Sequence, residues 1–486
     1  MIESSRSDYA SGHFRLLSED HIQEIRRTAF EILEETGVRV THREALKLLK
    51  SAGAWIKDNR VRLPRFIVEQ CLQTAPKLIT VYDRDGDRSM EVEGRKTYFG
   101  CSTGSPNILD PFTGKIRETR LEDIRLGAKI CDALPNIDWV MPMGSCRDIE
   151  PENARDVFDF EALVTNTNKP IVMLSYSLRA CEYVYEMAAT IAGGVDELRK
   201  RPFLIGYPEP ISPLVFPDDV AEKILFYAGL GMPQIPGSVC QMGATAPVTI
   251  AGAVAQNLAE SLFSLVLSQL KKQGAPCFLS GNISCFDMGT ARISPGAPES
   301  SLAISVQAEV AQSFGLPTWG LAGCSDSKMI DAQAGAESMF SIITQALAGL
   351  NLVHDVGYLD GSMVCSVDML VLGDELIGMA KRFIEGVKIS QETLGRTLIS
   401  SVGPGGNFLQ EQHTFDHFKK ELWMPTLMTR QDYHTWQEGG GKDMATRVNE
   451  KVREISETHQ IKPLPESTTA AIAELKAKAI EELRIK

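Results

Sequence analysis

The 486-residue sequence lacks the cysteine and histidine spacings that mark disulfide frameworks and zinc sites. Its ten cysteines are scattered, and C-x-x-C, H-x-H and H-E-x-x-H motifs are all missing. We therefore expect no disulfide framework and no dedicated metal site. Cysteines in this setting are most often small buried side chains, and this is how we interpret them.

Long apolar runs and positive charge are also scarce. The sequence holds no uninterrupted apolar run of 18 residues, and its first residues do not resemble a signal peptide. The formal net charge of −13 makes nucleic acid and anionic membrane surfaces poor partners. We expect a cytoplasmic protein that binds neither nucleic acid nor membrane.

Several common catalytic motifs are missing as well. The sequence has no G-x-G-x-x-G fingerprint, no Walker A loop and no G-x-S-x-G nucleophile elbow. Dinucleotide binding, P-loop phosphate chemistry and serine-type acyl transfer therefore have no support. The nucleophile of any reaction would have to come from outside the chain.

A regular alternation of strands and helices is present from residue 97 onward. Short apolar runs begin near Tyr98, Ile137, Ile171, Phe203, Gln234, Cys277, Thr318 and Asn351. Helical patterns follow them near 121–133, 153–166, 178–192, 217–230, 249–272, 299–314, 331–348 and 367–387. Eight such pairs predict an α/β fold of the TIM (β/α)8 barrel type, with an open doubly wound sheet as the competing interpretation.

The alternation also suggests a division of the chain into three parts. Residues 1–96 predict an N-terminal α+β cap, with a helix capped by Ser18 and a hairpin across the Asp83–Asp87 turn. Residues 97–388 form the predicted catalytic barrel, and residues 389–486 a C-terminal helical extension. That extension would wrap the barrel or pack on another subunit, so a homo-oligomer is a possible state.

The loops after the strands are predicted to carry the site. Gly231, Gly274 and Gly315 each precede a proline by two positions and close a helix, as C-capping glycines do. The loops after helices are short and the loops after strands long, which places function at the carboxyl ends of the strands. The candidate binding residues are Phe99, Tyr176, Tyr207, Glu209, Gln241, Asn282, Asp326, His354, Asp355 and Tyr358.

Other residues in the same loops belong to the predicted lining. They are Cys101, Ser102, Met143, Arg147, Cys324, Ser325 and Lys328, with Trp139 and Trp319 inside strands two and seven. Aromatic faces with a few carboxylates suit a quaternary ammonium ligand, held by cation–π attraction of about 0.5–2 kcal/mol per ring. The alternative is that several of these rings belong to the core.

His354 and Asp355 follow the eighth apolar run. Because they are adjacent in a predicted strand, their side chains should point to opposite faces and should not share a metal ion. One would face the pocket while the other braces the loop. His354 also has a glycine three residues later, but Leu352 stands where the cobalamin-binding D-x-H-x-x-G signature needs aspartate.

Three separated motifs resemble the trimethylamine methyltransferase family. They run from Gly323 to Glu337, from Val353 to Gly361 and from Gly403 to Thr414, and the resemblance extends over essentially the whole chain. It implies a TIM barrel. It also implies transfer of a methyl group from a methylated amine to cob(I)alamin carried by a separate corrinoid protein, with no corrinoid bound tightly by this chain.

The same resemblance narrows the substrate class. The methanogen trimethylamine enzymes carry pyrrolysine, whereas this sequence contains only standard residues and is similar to the pyrrolysine-free branch. Glycine betaine is then the first candidate substrate, with proline betaine, carnitine and gamma-butyrobetaine as alternatives. His354, Gln241, Asn282 or Arg147 would hold a carboxylate, and Asp326, Asp355 or Glu209 would offset the cation.

Two further functions remain open from the sequence. A non-catalytic barrel could bind a quaternary amine as a sensor. An unrelated barrel lyase or aldolase would need a Schiff-base lysine near a strand end, for which Lys328 is the candidate.

Overall fold

The computed structural model describes residues 14–87, 89–102 and 104–484, and it shows a mixed α/β fold. The N-terminal elements are α1 (Glu19–Glu31), β1 (Val38–Val40), α2 (Arg43–Ser51), β2 (Trp55–Lys57), β3 (Arg60–Arg62), α3 (Arg65–Thr74), β4 (Ile79–Tyr82) and β5 (Ser89–Val92). A short π-helix, Ile32–Thr36, extends α1.

The central elements follow from residue 98. They are β6 (Tyr98–Cys101), β7 (Asn107–Leu109), β8 (Ile116–Glu118), α4 (Leu121–Ala133), α5 (Arg155–Asn166), β9 (Ile171–Met173), α6 (Leu178–Ala192), α7 (Val195–Lys200), β10 (Leu204–Gly206), β11 (Val215–Phe216), α8 (Asp218–Leu230), β12 (Val239–Met242), α9 (Ile250–Lys271), β13 (Leu279–Ser280), β14 (Asn282–Asp287), β15 (Arg292–Ser294), α10 (Pro298–Gln312), β16 (Thr318–Leu321), α11 (Ala332–Ala348), β17 (Leu352–Val356), β18 (Tyr358–Leu359), β19 (Val364–Cys365) and α12 (Val367–Ile384).

All the regular elements of the C-terminal part are helices. Its helices are α13 (Gln391–Leu394), α14 (Arg396–Val402), α15 (Gln412–Glu421), α16 (Tyr433–Glu438), α17 (Met444–Thr458) and α18 (Glu466–Arg484). The last two pack on the central part, α17 against α12 and α4, and α18 against α6 and α5. In contrast, α13 to α16 contain no buried residue.

Parallel pairing links the eight predicted strand segments in chain order. Single-residue bridges join Gly100 to Trp139, Val140 to Ile171, and Gln234 to both Gly206 and Cys277. Continuous parallel pairing joins β9 to β10, β13 to β16 and β16 to β17, and β17 then pairs with β6. Four of the links are thus single bridges, and the continuous sheets remain short.

The helix boundaries agree closely with the sequence pattern, because the local capping signals operate as expected. The Ser18 hydroxyl accepts a 3.2 Å hydrogen bond from the His21 amide at the start of α1. Gly231, Gly274 and Gly315 all adopt positive φ, the backbone conformation that glycine allows after a helix. The predicted hairpin is also confirmed, with β4 and β5 paired antiparallel.

The short strands in the loops were not predicted. β12, β14 and β15 form one small sheet, and β8, β7, β19 and β18 form another. β11 pairs in parallel with β1 and so joins the N-terminal sheet to the central part. These strands have two to six residues, too few to show a clear alternation in the sequence.

Helix α9 forms much of the core. It packs against α1, α2 and α3 on one side and against α8 and α10 on others. By length and composition alone it could span a membrane, but 83% of its most apolar window is buried inside the protein. It is therefore a core helix. Nine of the ten cysteines are also buried and Cys285 is partly exposed, which confirms their interpretation as core side chains.

Candidate functional site

His354 is the centre of a hydrogen-bonded group at the carboxyl ends of the parallel strands. Its Nδ1 lies 2.6 Å from Asp355 Oδ1, and its Nε2 lies 3.0 Å from Asn282 Oδ1. The imidazole stacks on Trp319, with ring centroids 4.4 Å apart and planes inclined by 13°. Both ring nitrogens and one ring face are therefore engaged by the protein.

The placement of Asp355 differs from the sequence expectation. Asp355 has a φ of +80°, and the pairing of β17 with β6 shifts register between Val353 and Val356, as in a β-bulge. The bulge breaks the regular alternation, so the Asp355 carboxylate turns to the same side as His354 rather than the opposite one. The Ser102 hydroxyl donates to the same Oδ1, which braces the bulge.

The group continues from Asn282 into aromatic side chains. Asn282 Nδ2 donates a 2.9 Å hydrogen bond to the Tyr207 hydroxyl, and the Tyr207 ring lies 5.4 Å from Trp319. Trp319 in turn lies 5.1 Å from Trp139. Burial raises the pKa of Tyr207 well above its usual value, so the phenol stays neutral. We call Ser102, Tyr207, Asn282, Trp319, His354 and Asp355 the interior cluster.

Glu209 adds a second carboxylate beside the interior cluster. It follows β10 by three residues and is partly exposed. Burial is the main cause that raises its pKa, while the charges of His354 and Lys223 lower it and Asp355 raises it further. Its carboxylate makes no hydrogen bond to any residue that the structure describes. A cation placed nearby would stabilise the ionised form.

Tyr358 is buried in β18, and its hydroxyl connects two loops. The hydroxyl accepts from the Ser105 amide at 3.2 Å and donates to the Met143 carbonyl at 3.3 Å. Burial raises the pKa of Tyr358 well above its usual value, and the Asp355 charge adds to this. Tyr358 thus lies close to the interior cluster and holds the loops that follow β6 and the second strand segment.

Two predicted aromatic walls lie elsewhere. Phe99 is fully buried, and Lys381 of α12 lies 6.0 Å from its ring centroid, so this ring packs towards the helices. The next residue, Gly100, faces the Trp139 ring, which a Cβ would meet at 2.3 Å. Tyr176 is exposed on the loop after β9, where Arg155 lies over its ring at 5.8 Å. The structure does not bring Phe99 or Tyr176 into the interior cluster.

The remaining polar candidates lie in the surrounding loops. Gln241 is partly exposed in β12, and Arg147 is exposed after the second strand segment. Asp326 accepts from the Ser294 hydroxyl, and burial raises its pKa. Lys328 is exposed and lies 3.5 Å from Asp360, so its amine lies in solvent and lacks the apolar surroundings of a Schiff-base lysine.

Two buried aspartates of α5 contact the loops that follow the second and third strand segments. Asp159 of α5 accepts a hydrogen bond from the Cys146 thiol at 3.4 Å, and Asp156 accepts from the Tyr176 amide at 2.8 Å. Burial raises the pKa of Asp156 to about 6 and that of Asp159 to about 8, the latter with help from the Asp156 charge. Asp159 is therefore largely protonated at neutral pH.

A cavity of about 830 Å³ lies at the opposite end of the parallel strands. Its lining includes Asp83 and Asp87 beside the hairpin, and Asp132, Asp138 and Lys169 near the starts of the second and third strand segments. The Lys169 ammonium donates to three backbone carbonyls, so it is held in place structurally. None of the ten predicted binding residues lines this cavity.

Comparison with known proteins identifies the family. The sequence profile of trimethylamine methyltransferase (MTTB) matches residues 7–483. The chain belongs to this family. It is 32% identical to trimethylamine methyltransferase MttB of Desulfitobacterium hafniense strain DSM 10664 / DCB-2, over 94% of this chain and 92% of that protein. It is 31% identical to the glycine betaine methyltransferase of D. hafniense strain Y51, over 87% of this chain and 88% of that protein.

Membership of the trimethylamine methyltransferase family makes the chain a methyltransferase, as the resemblance predicted. The chain also matches the crystal structure of the Methanosarcina barkeri monomethylamine methyltransferase, with a TM-score of 0.53 and 13% identity. That match covers 95% of this chain and 92% of the other. At this identity it supports the fold alone.

Sequence reasoning gave too little weight to two residues of the interior cluster. The sequence places Trp319 inside strand seven, near the predicted pocket but not among the ten candidate binding residues, yet it stacks on His354 and packs against Tyr207. In the sequence Ser102 is one of several loop residues of the predicted lining, yet its hydroxyl donates a hydrogen bond to the Asp355 carboxylate. A tryptophan at an inward strand position was the one available signal for this arrangement.

Proposed function

We propose that this methyltransferase transfers a methyl group from a quaternary amine to the cob(I)alamin of a separate corrinoid protein. The observation that carries the proposal is the combination of buried aromatic rings with two carboxylates, Asp355 and Glu209, at the strand ends. A quaternary ammonium cannot donate a hydrogen bond, so aromatic faces and carboxylate charge are the means of binding it. The similarity to a glycine betaine methyltransferase supports the same class.

The side chains present fit the binding step. Trp319 and Tyr207 offer apolar surface for methyl groups, and the Glu209 carboxylate, whose ionised form a nearby cation would stabilise, offsets the positive charge. His354 and Asn282 hydrogen-bond to one another, so they position the cluster rather than hold the ligand. A betaine carboxylate would then bind Gln241 or Arg147, whose side chains make no hydrogen bond within the described residues.

The chemistry requires little acid–base catalysis from this chain. In the transfer the carbon–nitrogen bond breaks, its electron pair stays on nitrogen, and the amine leaves neutral. The substrate is already positively charged, so no proton has to be supplied. The contribution of the chain is to fix one methyl group towards the entrance and to exclude water around the cation.

The corrinoid is better held by a partner than by this chain. Cobalamin would supply the nucleophilic metal, and a histidine could hold it only through a free ring nitrogen. Both nitrogens of His354 are engaged, by Asp355 and by Asn282, and Leu352 replaces the aspartate of the cobalamin-binding signature. The residues around His354 therefore do not fit a bound corrinoid.

We further propose that the eight parallel segments form a TIM (β/α)8 barrel. The pairing of β17 with β6, together with the four bridges, supports closure of the strand order. We retain the division into residues 1–96, 97–388 and 389–486 as part of this proposal. In this arrangement the interior cluster lies inside the barrel, near its carboxyl-terminal mouth.

The deciding experiment is a substrate panel read as methylcobalamin formation. Purified protein is mixed with a reduced corrinoid protein and with glycine betaine, proline betaine, carnitine, gamma-butyrobetaine or trimethylamine. We expect turnover with at least one quaternary amine and none with trimethylamine. Turnover of trimethylamine alone would refute the proposal.

Two glutamate variants test whether the Glu209 carboxylate offsets the positive charge of the substrate. Glu209→Gln removes the carboxylate with little change of shape, and we expect KM for the quaternary amine to rise about tenfold or more. Glu457→Gln changes an exposed glutamate of α17 and should leave KM unchanged. Equal kinetics of the two variants would show that Glu209 does not face the cation.

A further inference from the structure

Glu260 is a glutamate in the middle of α9 that is 1% exposed. Its carboxylate accepts hydrogen bonds from the Ser212 hydroxyl at 2.7 Å, the Leu214 amide at 2.9 Å and the Ser238 hydroxyl. Gln256, one turn earlier in the same helix, donates a further hydrogen bond at 3.2 Å. Each carboxylate oxygen thus has at least two donors, which compensate for its loss of contact with water.

The donors outside α9 come from two segments at the carboxyl ends of the parallel strands. Ser212 and Leu214 lie in the loop after β10, three and five residues beyond Glu209. Ser238 directly precedes β12, which contains Gln241. One buried carboxylate therefore joins the two segments that carry proposed partners of the substrate.

The side chains of Glu209 and Gln241 depend on these two segments for their positions. Neither side chain makes a hydrogen bond to any residue that the structure describes, so the course of the backbone decides where each lies. β12 is fixed on one side by its parallel pairing with β14. The hydrogen bonds to Glu260 fix the other segment just before β11.

The backbone at Leu214 is in a conformation that needs such support. Leu214 has a φ of +59°, in the left-handed region that residues with a side chain rarely adopt. Such a conformation persists only when the surrounding contacts enforce it. The Leu214 amide donates to Glu260, and the next residue, Val215, pairs with Arg39 of β1. Without the carboxylate as acceptor, we expect this turn to relax and the loop that carries Glu209 to move.

Helix α12 contains a comparable glutamate at the other end of the strands. Glu375 is 4% exposed and accepts from the amides of three consecutive residues, beginning with Thr426. Its neighbour Asp374 accepts from the amide of Asn136, just before the second strand segment begins. Both glutamates hold a loop to a core helix, but only Glu260 holds segments that carry proposed binding residues.

We propose that Glu260 is a positioning residue for methyl transfer. It holds the loop after β10 and the segment before β12 at the separation that allows Glu209 and Gln241 to contact one substrate molecule. Glu260 acts through these two side chains and does not touch the substrate, because donors of the chain occupy its own oxygens. The inference rests on the proposed function, which assigns Glu209 and Gln241 to the substrate.

Steady-state kinetics of Glu260→Gln test this role. The assay uses a reduced corrinoid protein and whichever methylated amine the wild type turns over. The variant keeps the shape of the side chain but presents an amide group to hydrogen-bond donors, so the two segments should separate. We expect KM for the amine to rise about tenfold or more while kcat falls less than about threefold, because the displaced side chains weaken substrate binding.

Glu375→Gln is the matched control. It also replaces a carboxylate that accepts several hydrogen bonds, so we expect a comparable loss of stability in urea, with KM and kcat within about twofold of the wild type. An unchanged KM in folded Glu260→Gln, or an equal rise of KM in Glu375→Gln, would overturn the proposal. If Glu260→Gln does not fold, the double variant Ser212→Ala, Ser238→Ala takes its place. We expect its KM to rise about threefold, and an unchanged KM there would contradict the proposal equally.

Amide hydrogen exchange gives a second readout that needs no turnover. Exchange in residues 209–216 should be faster in Glu260→Gln than in the wild type and unchanged in Glu375→Gln. Exchange that is unchanged in both variants would also overturn the proposal. Turnover of trimethylamine alone would refute the assignment of a quaternary amine but leave this comparison intact, so the two failures can be told apart.

Discussion

The interior cluster and the C-terminal arm, the segment from Glu385 to Met424, differ in the side chains that they bury and expose. In the cluster, the side chains of Ser102, Tyr207, Asn282, His354 and Asp355 are buried and each is hydrogen-bonded to another member, so that their burial carries no large penalty. In the arm, apolar side chains are exposed and contact little else in the chain. The polar side chains of the cluster thus have partners within the chain, whereas the apolar side chains of the arm face solvent. Substitutions should therefore have large effects on stability in the cluster and small effects in the arm.

The largest expected effect on a single chain is that of His354→Ala. The change removes one donor from the buried Asp355 carboxylate, leaves Asn282 Oδ1 without its partner and opens a space beside Trp319. We expect the free energy of unfolding to fall by about 3 kcal/mol and methyl transfer to be lost. Urea unfolding measures the first and methylcobalamin formation the second.

The matched control for this histidine lies in an exposed helix. His434→Ala in α16 should change the free energy of unfolding by less than about 0.5 kcal/mol and leave turnover intact. If both variants behaved alike, the hydrogen bonds of the interior cluster would contribute nothing measurable.

The buried side chain of Asp159 should make the free energy of unfolding depend on pH, with an effect of intermediate size. Its folded pKa of about 8 lies above its ordinary value of 3.8, so the folded protein retains a proton that the unfolded chain releases. This contribution to stability is complete below about pH 4 and is lost as the pH rises to about 8. Asp159→Asn has no proton to lose, so we expect it to gain about 2 kcal/mol relative to the wild type at pH 9.

Thermal unfolding between pH 5 and pH 9 checks the sign of this effect. The melting temperature of Asp159→Asn should rise relative to the wild type as the pH increases. Asp196→Asn, an exposed substitution in α7, should follow the wild type throughout. A parallel fall of all three proteins would show that Asp159 is ionised in the folded state.

A smaller effect is expected from Tyr207→Phe. The substitution removes the hydroxyl that accepts from Asn282 but keeps the ring beside Trp319. We expect a loss of about 1 kcal/mol in the free energy of unfolding, with a rise in KM for the amine. Tyr433→Phe on the exposed surface of α16 is the control, and an equal loss there would contradict the argument.

Most of the fold could be predicted because its signals are local. Helix α4 matches the predicted 121–133 and α6 the predicted 178–192, since apolar spacing and capping residues lie within each segment. The short loop strands β12 and β18 could not be predicted, since two to four residues carry no period. Their pairing depends on partners distant in sequence, such as β14 for β12 and β19 for β18.

The geometry of the site could be predicted only in part, because it also depends on contacts between residues distant in sequence. Position after a strand puts His354, Asp355, Tyr207 and Asn282 among the candidate binding residues, and the structure brings all four together. The positive φ of Asp355 could not be predicted, because it depends on donors from Ser102 and His354 that only the folded chain supplies. Phe99 was misplaced relative to the cluster, since a strand buried on both faces gives no alternation to tell the two sides apart.

The smallest effect of a substitution on the free energy of unfolding is expected in the arm. Two leucine-to-alanine variants, one at a buried and one at an exposed position, test this expectation. Leu352→Ala removes a fully buried side chain of β17 and should cost about 3 kcal/mol at any protein concentration. Leu394→Ala removes a side chain that is 59% exposed, so it should cost less than about 0.5 kcal/mol. Urea unfolding of both variants measures the difference between the two costs. A cost for Leu394→Ala close to that of Leu352→Ala would mean that the Leu394 side chain packs against its own chain.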